Sequence, residues 1–166
     1  RRQRQMCIRD RDTPGVVTSD GLLSDLRPLD RLAIIGGGVI GVELACVWAA
    51  AGARVTILEA APRLLPTLER ELGQSLAAQL RQDGVEVFTG AGVTGVAPGP
   101  AVAFTHRGEA RRLEADAVLV ATGRRPATGG LFAGDLLPEL ERGFLRVDGQ
   151  FRTSIPSLYA IGDAIG

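Results

Sequence analysis

Residues 31–43 read RLAIIGGGVIGVE, in which a short apolar run meets three consecutive glycines and a second apolar run follows. The first run, residues 31–35, predicts a buried parallel strand. Residues 39–51 combine helix-forming side chains with an almost continuous apolar character and end at Gly52, a residue typical of helix C-termini. Because residues 54–58 return to a β-branched run, the whole stretch predicts a βαβ unit of about 30 residues.

The glycines of this stretch match the pattern GxGxxG, which by itself is a weak signal. Its position between a strand and a helix strengthens it, because Gly36 can make the tight turn, Gly38 lets a pyrophosphate approach the backbone, and Gly41 allows close helix–strand packing. The helix N-terminus then faces the phosphates with free N–H groups and the positive end of its dipole. The cofactor contacts predicted at this loop are Gly36, Gly37, Gly38, Val39, Ile40 and Gly41.

A carboxylate closes the predicted second strand, since Glu59 follows Gly41 by eighteen residues. At this place a carboxylate accepts hydrogen bonds from both ribose hydroxyls and repels a 2′-phosphate, so we predict NAD in preference to NADP. Arg63 is the base that follows this strand end, and without a second base beside it a phosphate-binding role is not favoured. The alternative interpretation is a glycine turn followed by an incidental surface glutamate.

The rest of the chain predicts an α/β, Rossmann-like domain of three layers. Residues 66–83 carry leucines at four-residue spacing, at positions 68, 72, 76 and 80, and predict an amphipathic helix that packs on the sheet. Further strands are predicted at residues 85–88, 93–96, 101–105, 110–113 and 117–121, of which the middle three form an inserted antiparallel β-meander and the last rejoins the parallel sheet. Residues 145–147 and 158–161 predict two more strands around a turn at Asp148 and Gly149.

Composition limits the function classes. The formal net charge is zero, and five of the 19 basic residues lie in residues 1–12, so nothing favours a nucleic-acid partner. No apolar run is long enough to predict a membrane span.

Cys7 and Cys46 form neither a metal motif nor a redox pair, which fits a reducing, cytoplasmic setting, and we expect Cys46 to be a small core residue. His106 is expected to be a solvated hairpin residue, so no catalytic or metal-binding residue is predicted.

Four motifs in order give the chain a family resemblance: the loop 36–43, LPTL at 65–68, ATGRRP at 121–126 and YAIGD at 159–163. From residue 16 onward the chain resembles the pyridine nucleotide-disulfide oxidoreductases, and within them the dihydrolipoamide dehydrogenases. The resemblance implies an enzyme that passes electrons between a dithiol and NAD through FAD and a cysteine pair. It places residues 36–43, Glu59, Val93 and Gly123 around NAD, and Asp163 on the ribityl chain of FAD.

Glu43 receives a separate expectation, because a carboxylate in the first turns of an apolar helix is costly unless it is paired. In the family the matching glutamate pairs with a lysine beside the flavin, in a domain that this chain lacks. We therefore expect Glu43 to be partly solvated or to have a raised pKa. The alternative for Glu43 is a surface glutamate on the exposed side of the helix.

For Arg124 and Arg125, a role near the cofactor and a solvated basic pair in a loop stay equally open.

The resemblance also predicts the domain organisation. Residues 1–12 resemble a non-native leader, 13–30 a connector from a missing FAD domain, 31–142 the NAD-binding domain, and 143–166 a return segment that is poorly packed or makes few hydrogen bonds. The FAD domain, the cysteine pair and the dimerisation domain of a homodimer are expected outside this chain, which would not turn over alone. Another NADH-dependent flavoprotein reductase and a non-catalytic dinucleotide-sensing module are the alternative functions.

Overall fold

The computed structural model describes residues 13–25, 27–123, 130, 132 and 136–165. The chain divides into two compact units, Arg1–Gly123 and Arg124–Gly166. The proposed leader, together with Arg124 and Arg125, lies outside the described residues. The elements of the first unit are β1 (Val16–Val17), α1 (Ser19–Ser24), β2 (Arg31–Ile35), α2 (Val39–Ala50), β3 (Arg54–Glu59), α3 (Arg70–Gln82), β4 (Glu86–Thr89), β5 (Gly92–Ala97), β6 (Ala101–His106), β7 (Glu109–Glu114) and β8 (Ala117–Val120).

The main sheet consists of five parallel strands in the order β1-β8-β2-β3-β4. The connection through α2 leads from β2 to β3 on one side, whereas the chain later returns to β8 on the other side of β2. The carboxyl ends of β2 and β8 are therefore neighbours at a topological switch point. Open α/β sheets bind their ligands in the crevice at such a point.

Alternate residues of β2 face two separate hydrophobic cores. Leu32 and Ile34 are buried in a cluster that includes residues of α2 and α3, whereas Ala33 and Ile35 are buried in a cluster that includes residues of β5 and β6. The strand thus has helices on one face and the antiparallel sheet on the other, as expected for a sheet that is covered on both faces. The predicted three-layer α/β fold is confirmed.

The inserted meander also forms as predicted, with β5, β6 and β7 in one antiparallel sheet. Its second hairpin turns through Arg107 and Gly108, which both have positive φ, the conformation of a two-residue type I′ turn. His106 precedes this turn, and its half-buried ring lies edge-on to Phe88 with ring centroids 5.2 Å apart. His106 is thus a hairpin residue, as expected, but it is half-buried where solvation was expected, because an aromatic neighbour on β4 covers one side of it.

Helix α3 begins at Arg70, four residues later than predicted. The preceding segment is held away from helical geometry, since Leu65 has a φ of 48° and donates its N–H to the Gly37 carbonyl. The buried face of the helix also differs, because Leu72 is 55% exposed and the helix buries Gly73, Ala77 and Leu80. A four-residue repeat advances about 40° beyond each full turn, so a row of leucines drifts around the helix.

Residues 13–30 contain regular structure that the sequence did not predict. Strand β1 pairs with β8 as the outer strand of the parallel sheet, and α1 begins where the Thr18 hydroxyl accepts from the Gly21 N–H. Leu22 of this helix is 1% exposed and belongs to the core. A two-residue strand is too short for a periodic pattern, so the segment was predicted as an irregular connector.

The second unit contains a short hairpin, β9 (Leu140–Glu141) with β10 (Phe144–Leu145), and a 3₁₀ turn at Gly162–Ala164. The turn predicted at Asp148 is confirmed, since its carboxylate accepts from the N–H groups of Gln150 and Arg152. Those bonds, that of Arg152 above all, lower the pKa of Asp148. The boundary predicted at residue 142 lies within this unit and stays a prediction.

The predicted strand at residues 158–161 is replaced by a single bridge between Arg152 and Tyr159. The expected scarcity of hydrogen bonds is also wrong, because the N–H groups of Thr153 and Ala160 donate to the carbonyls of Leu158 and Phe151. Packing is nevertheless sparse, since Phe151, Tyr159 and Ile161 are all more than half exposed. Local turns satisfy the backbone here, and the described part of the unit contains only the two-stranded β9–β10 sheet, which is too small to form a core with the apolar side chains.

Candidate dinucleotide-binding site

The glycine loop lies at the switch point and is in contact with the end of β8. Gly36 has a φ of 116°, and its N–H donates to the Leu58 carbonyl over 2.9 Å. A Cβ at Gly36 would lie 2.5 Å from the backbone oxygen of Ala121. Both the left-handed backbone and the neighbouring strand therefore require glycine at this position.

The other two glycines of the motif differ in what surrounds them. A Cβ at Gly41 would overlap the carbonyl oxygen of Gly36, so this glycine allows α2 to pack closely on the loop, as predicted. At Gly38, by contrast, no protein atom lies within 4 Å of an added Cβ, and φ is −76°, which any residue adopts. Internal packing does not explain glycine at position 38, whereas the approach of a phosphate to the backbone does.

Gly38 is also the N-cap of α2, and no side chain caps this helix end. An α-helix leaves its first N–H groups without partners inside the helix, and here the Val42 N–H is the first that bonds back, to the Gly38 carbonyl. The positive end of the helix dipole points out of the same end. Open space, unused donors and positive potential therefore coincide at the place predicted for the pyrophosphate.

Glu59 is half-buried at the end of β3, next to the loop in space. Its two carboxylate oxygens accept from the N–H groups of Gly37, at 2.5 Å, and Ala61, at 2.6 Å. An ionised carboxylate offers about four acceptor positions, so two remain for the hydroxyls of a ribose. The bond to Gly37 also fixes the carboxylate beside the loop, which the sequence did not predict.

Gly123 and Val93, which are also predicted to contact NAD, lie in segments that follow strands at the same edge of the sheet. Gly123 has a φ of 107° and comes two residues after Ala121, whose N–H donates to the Ile35 carbonyl. The segment before Val93 is joined to β3, because the Ala91 N–H donates to the Glu59 carbonyl over 2.8 Å. Val93 itself is 7% exposed in the meander core, so its backbone is the part that remains for a cofactor.

The outer face of α2 is exposed although it is apolar. Glu43 is exposed there, which fits both the expected solvation and the alternative of a surface glutamate, and Val39, Cys46 and Val47 are exposed as well. The expectation that Cys46 is a core residue is therefore wrong; it is a free, exposed thiol. Periodicity could not distinguish the two faces, because all side chains of α2 except that of Glu43 are apolar.

Asp163 lies in the second unit, exposed in the 3₁₀ turn. The structure thus assembles residues 36–41, Glu59 and Gly123 at one edge of the parallel sheet, whereas Asp163 belongs to a separate unit. Among the described residues no group of His, Cys, Asp and Glu is arranged to hold a metal ion. Within the same part of the chain, no helix has the length and apolar character needed to cross a membrane.

The sequence did not predict a basic cavity beside this edge. A cavity of about 520 Å³ lies between the segment after β3, the end of β4 and α3, and three arginines line it: Arg63, Arg70 and Arg81. The signal that could have found it is the spacing of positions 70, 74, 77 and 81, which share one face of a helix. Arg63 therefore shares a cavity with Arg70 and Arg81. From its neighbours along the chain alone, no second base was predicted beside it.

A glycine loop at the switch point of a parallel sheet, with a carboxylate at the end of the next strand, defines a dinucleotide-binding domain of the Rossmann class. Comparison with known sequences agrees, because the profile of the family described as pyridine nucleotide-disulphide oxidoreductase matches residues 10–166. The chain belongs to this family.

Individual relatives carry more than one name. The chain is 38% identical to a dihydrolipoyl dehydrogenase of Trypanosoma brucei brucei over 93% of its own length and 34% of that protein, and 39% identical to the probable pyridine nucleotide-disulfide oxidoreductase RclA of Escherichia coli K12 over 93% and 35%. It also resembles the structure of the Cu(II) complex of the HOCl-induced flavoprotein disulfide reductase RclA from Escherichia coli, with a TM-score of 0.77 and 38% identity, covering 92% of this chain and 35% of that one. The chain spans about a third of the length of these relatives.

The family uses FAD and NAD(P) as cofactors. The residues present fit the pyridine nucleotide, because Gly38 leaves space at an uncapped helix N-terminus and Glu59 keeps acceptor positions next to it. Asp163 is the residue of this chain that is predicted to contact FAD.

Proposed function

We propose that this chain is the NAD-binding part of an FAD-dependent disulfide oxidoreductase, of which the complete form is a dihydrolipoyl dehydrogenase that oxidises dihydrolipoamide with NAD. The observation that carries the proposal is the open space at Gly38, a glycine that no contact within the protein requires. Glu59 supports NAD over NADP, because its carboxylate is held next to the loop by the Gly37 N–H. Bound NAD supplies the hydride acceptor of the reaction.

The residues of this chain would bind and orient that cofactor. The first N–H groups of α2 would face the pyrophosphate, and Glu59 would accept from the adenine ribose. Because its carboxylate is bonded to the loop, the ribose and pyrophosphate contacts would be held at a fixed separation. Such positioning is the contribution of the protein when the cofactor carries the chemistry.

The exposed face of α2 supports a further domain in the complete protein. A helix that is apolar all around is normally buried on all sides, yet Val39 and Val47 are each more than half exposed. We propose that the FAD domain covers this face, with Glu43 toward the flavin, and that the complete enzyme is a homodimer. For Asp163, in the second unit, we propose a separate contact with the ribityl chain of FAD. The free thiol of Cys46 fits the reducing conditions of the cytoplasm.

A flavoprotein reductase with another disulfide substrate is the second candidate. It is favoured by the RclA relative, whose identity to this chain matches that of the dihydrolipoyl dehydrogenases. The domain described here binds the nucleotide and contributes no side chain to a disulfide substrate in either proposal. The two candidates therefore share the site and differ in the parts of the protein outside this chain.

The experiment is a titration of the purified chain with NADH, followed by nicotinamide fluorescence, in the wild type and in the variants Gly38→Ala and Gly95→Ala. Gly95 is the matched control, because it also has no atom within 4 Å of an added Cβ, and it lies in the meander. We expect Gly38→Ala to weaken NADH binding at least about tenfold, since its methyl group occupies the space needed by the pyrophosphate.

Gly95→Ala is expected to bind NADH like the wild type, and both variants should melt within a few degrees of it. NADH binding that Gly38→Ala leaves unchanged would contradict the proposed site. A wild type that is folded by circular dichroism and binds neither NADH nor NADPH would contradict the function itself.

A further inference from the structure

Gly37, the middle one of the three consecutive glycines, is bonded through both its N–H and its carbonyl to one segment of the chain. The N–H donates to the Glu59 carboxylate at 2.5 Å, and the carbonyl accepts from the Leu65 N–H at 2.8 Å. Side chains of the same segment lie against the glycine, because a Cβ at Gly37 would overlap the Cδ2 atom of Leu64 and lie 3.0 Å from the Cβ of Glu59. The segment from Glu59 to Leu65 therefore fixes the position of the Gly37 backbone.

The bond from Leu65 also orients the next N–H along the loop. A trans peptide group is planar, so its carbonyl and its N–H point in opposite directions. Because the Gly37 carbonyl points toward Leu65, the Gly38 N–H of the same peptide group points away from it. Among the described residues this N–H has no acceptor, and it is the first donor at the uncapped end of α2. The direction of a donor at the proposed pyrophosphate site thus depends on the Leu65 bond.

Leu65 makes this bond from a backbone conformation that leucine rarely adopts. Its φ of 48° lies in the left-handed region, where the β-carbon crowds the following carbonyl oxygen. Residues that the surrounding structure holds in this region are concentrated at binding and active sites. Here the surrounding structure is α3, because the carbonyl oxygen of the fully buried Leu64 would lie 2.6 Å from a Cβ at Gly73. The packing of α3 therefore holds the strained residue against the glycine loop.

We propose that Leu65 is a positioning residue for the dinucleotide, whose N–H orients the Gly38 N–H toward the pyrophosphate. The inference rests on the proposed function and gives the LPTL motif at 65–68 a role in it. The ribose and pyrophosphate contacts are then coupled, because Glu59 and Leu65 hold the two peptide groups of Gly37. Linkage is reciprocal, so bound pyrophosphate strengthens the Leu65 bond by the factor by which that bond strengthens binding.

The test replaces the N–H of Leu65 by an ester oxygen, through incorporation of the α-hydroxy analogue of leucine during cell-free translation of the whole chain. This change removes one donor and keeps the side chain. The control is the same change at Leu22, which is also buried and also donates its N–H to a backbone carbonyl at 2.8 Å, that of Thr18. NADH, NADPH and sodium pyrophosphate are titrated by calorimetry at constant ionic strength.

Binding and stability are measured on the same samples, because the Leu65 bond also affects where α3 begins. We expect the Leu65 ester to bind all three ligands at least about fivefold more weakly than the Leu22 ester, with melting temperatures within a few degrees of each other. The preference for NADH over NADPH should stay at the wild-type value, because Glu59 keeps its carboxylate. Equal affinities of the two esters would mean that the bond serves the fold alone, which overturns the positioning role.

Hydrogen exchange tests the same coupling without a variant, and so applies even if the Leu65 ester fails to fold. In the wild type, saturating pyrophosphate should slow exchange of the Leu65 N–H at least about fivefold more than exchange of the Leu22 N–H. Equal protection at the two leucines would overturn the proposal.

Failure of this inference and failure of the proposed function give different results. If the wild type binds NADH and the two esters bind it equally, Leu65 has no positioning role and the function stands. If the folded wild type binds pyrophosphate in a manner that depends on Leu65 but binds neither dinucleotide, the positioning role stands and the function does not. If the folded wild type binds none of the three ligands, both are overturned.

Discussion

The two edges of the parallel sheet are built from similar polar residues and use them differently. At the amino edge, a cavity of about 250 Å³ is lined by charges of both signs, Arg31 and Arg54 with Glu86 and Glu114. Asp116 there accepts from the backbone N–H groups of residues 30 and 31 and from the Arg31 guanidinium. At the carboxyl edge, the three cavity arginines form no ion pair with another described residue, and no side chain caps the N-terminal end of α2.

The difference separates groups that hold the fold from groups that remain for a ligand. A charge whose partners lie within the protein contributes to stability and has little left with which to bind. A donor without a protein partner at an open edge adds little to stability and is available to a ligand. Removing a group from either edge therefore tests whether the two roles are separate.

The largest effect is expected at Gly36, which follows β2 and donates its N–H to the Leu58 carbonyl of β3. Gly36→Ala forces a side chain into a left-handed conformation and against the Ala121 oxygen. We expect the free energy of unfolding to fall by about 2–5 kcal/mol, measured by urea denaturation. Gly38→Ala, two residues away, should lower it by less than about 1 kcal/mol. Equal losses in the two variants would contradict the separation of roles.

An intermediate effect is expected at Glu59, where both roles meet. Glu59→Gln removes the charge, and its single carbonyl oxygen can serve only one of the N–H groups of Gly37 and Ala61. We expect a loss of stability of about 1–2 kcal/mol and a reduced preference for NADH over NADPH, measured by parallel titrations. An unchanged preference would show that Glu59 acts on the fold alone.

The smallest effect is expected at the amino edge and depends on pH. The Arg31 guanidinium, together with backbone N–H groups, lowers the pKa of Asp116 in the folded chain. The unfolded chain, where the pKa is about 3.9, binds this proton first as pH falls, so the stabilisation is complete above that pKa and is lost as pH falls through the folded value.

Asp116→Asn should therefore lower the free energy of unfolding by about 1 kcal/mol at pH 7. The difference from the wild type should shrink when urea denaturation is repeated at decreasing pH toward 3. NADH affinity should stay at the wild-type value, because the residue lies at the opposite edge from the glycine loop. A change in that affinity would remove the distinction between the edges.

Patterns within short segments determined much of the fold. The strand, glycine loop and helix of residues 31–50 can be predicted from the sequence, because each element has its own periodicity and its own end signal. The meander could be predicted for the same reason, since alternating apolar and polar residues and turn glycines recur along it. Strand β1 was missed because two residues carry no period, and the start of α3 because a hydrogen bond to Gly37 decides where that helix begins.

The sequence alone therefore determined the class of fold and the residue types of the proposed nucleotide site, because strand, loop and carboxylate lie in a fixed order along one short stretch. Only the tertiary structure decided which face of α2 is exposed, since an apolar helix has no pattern to orient it. It also decided that Glu59 bonds to Gly37 and that three arginines line one cavity. Contacts between distant segments depend on how helices and strands pack, which local periodicity does not encode.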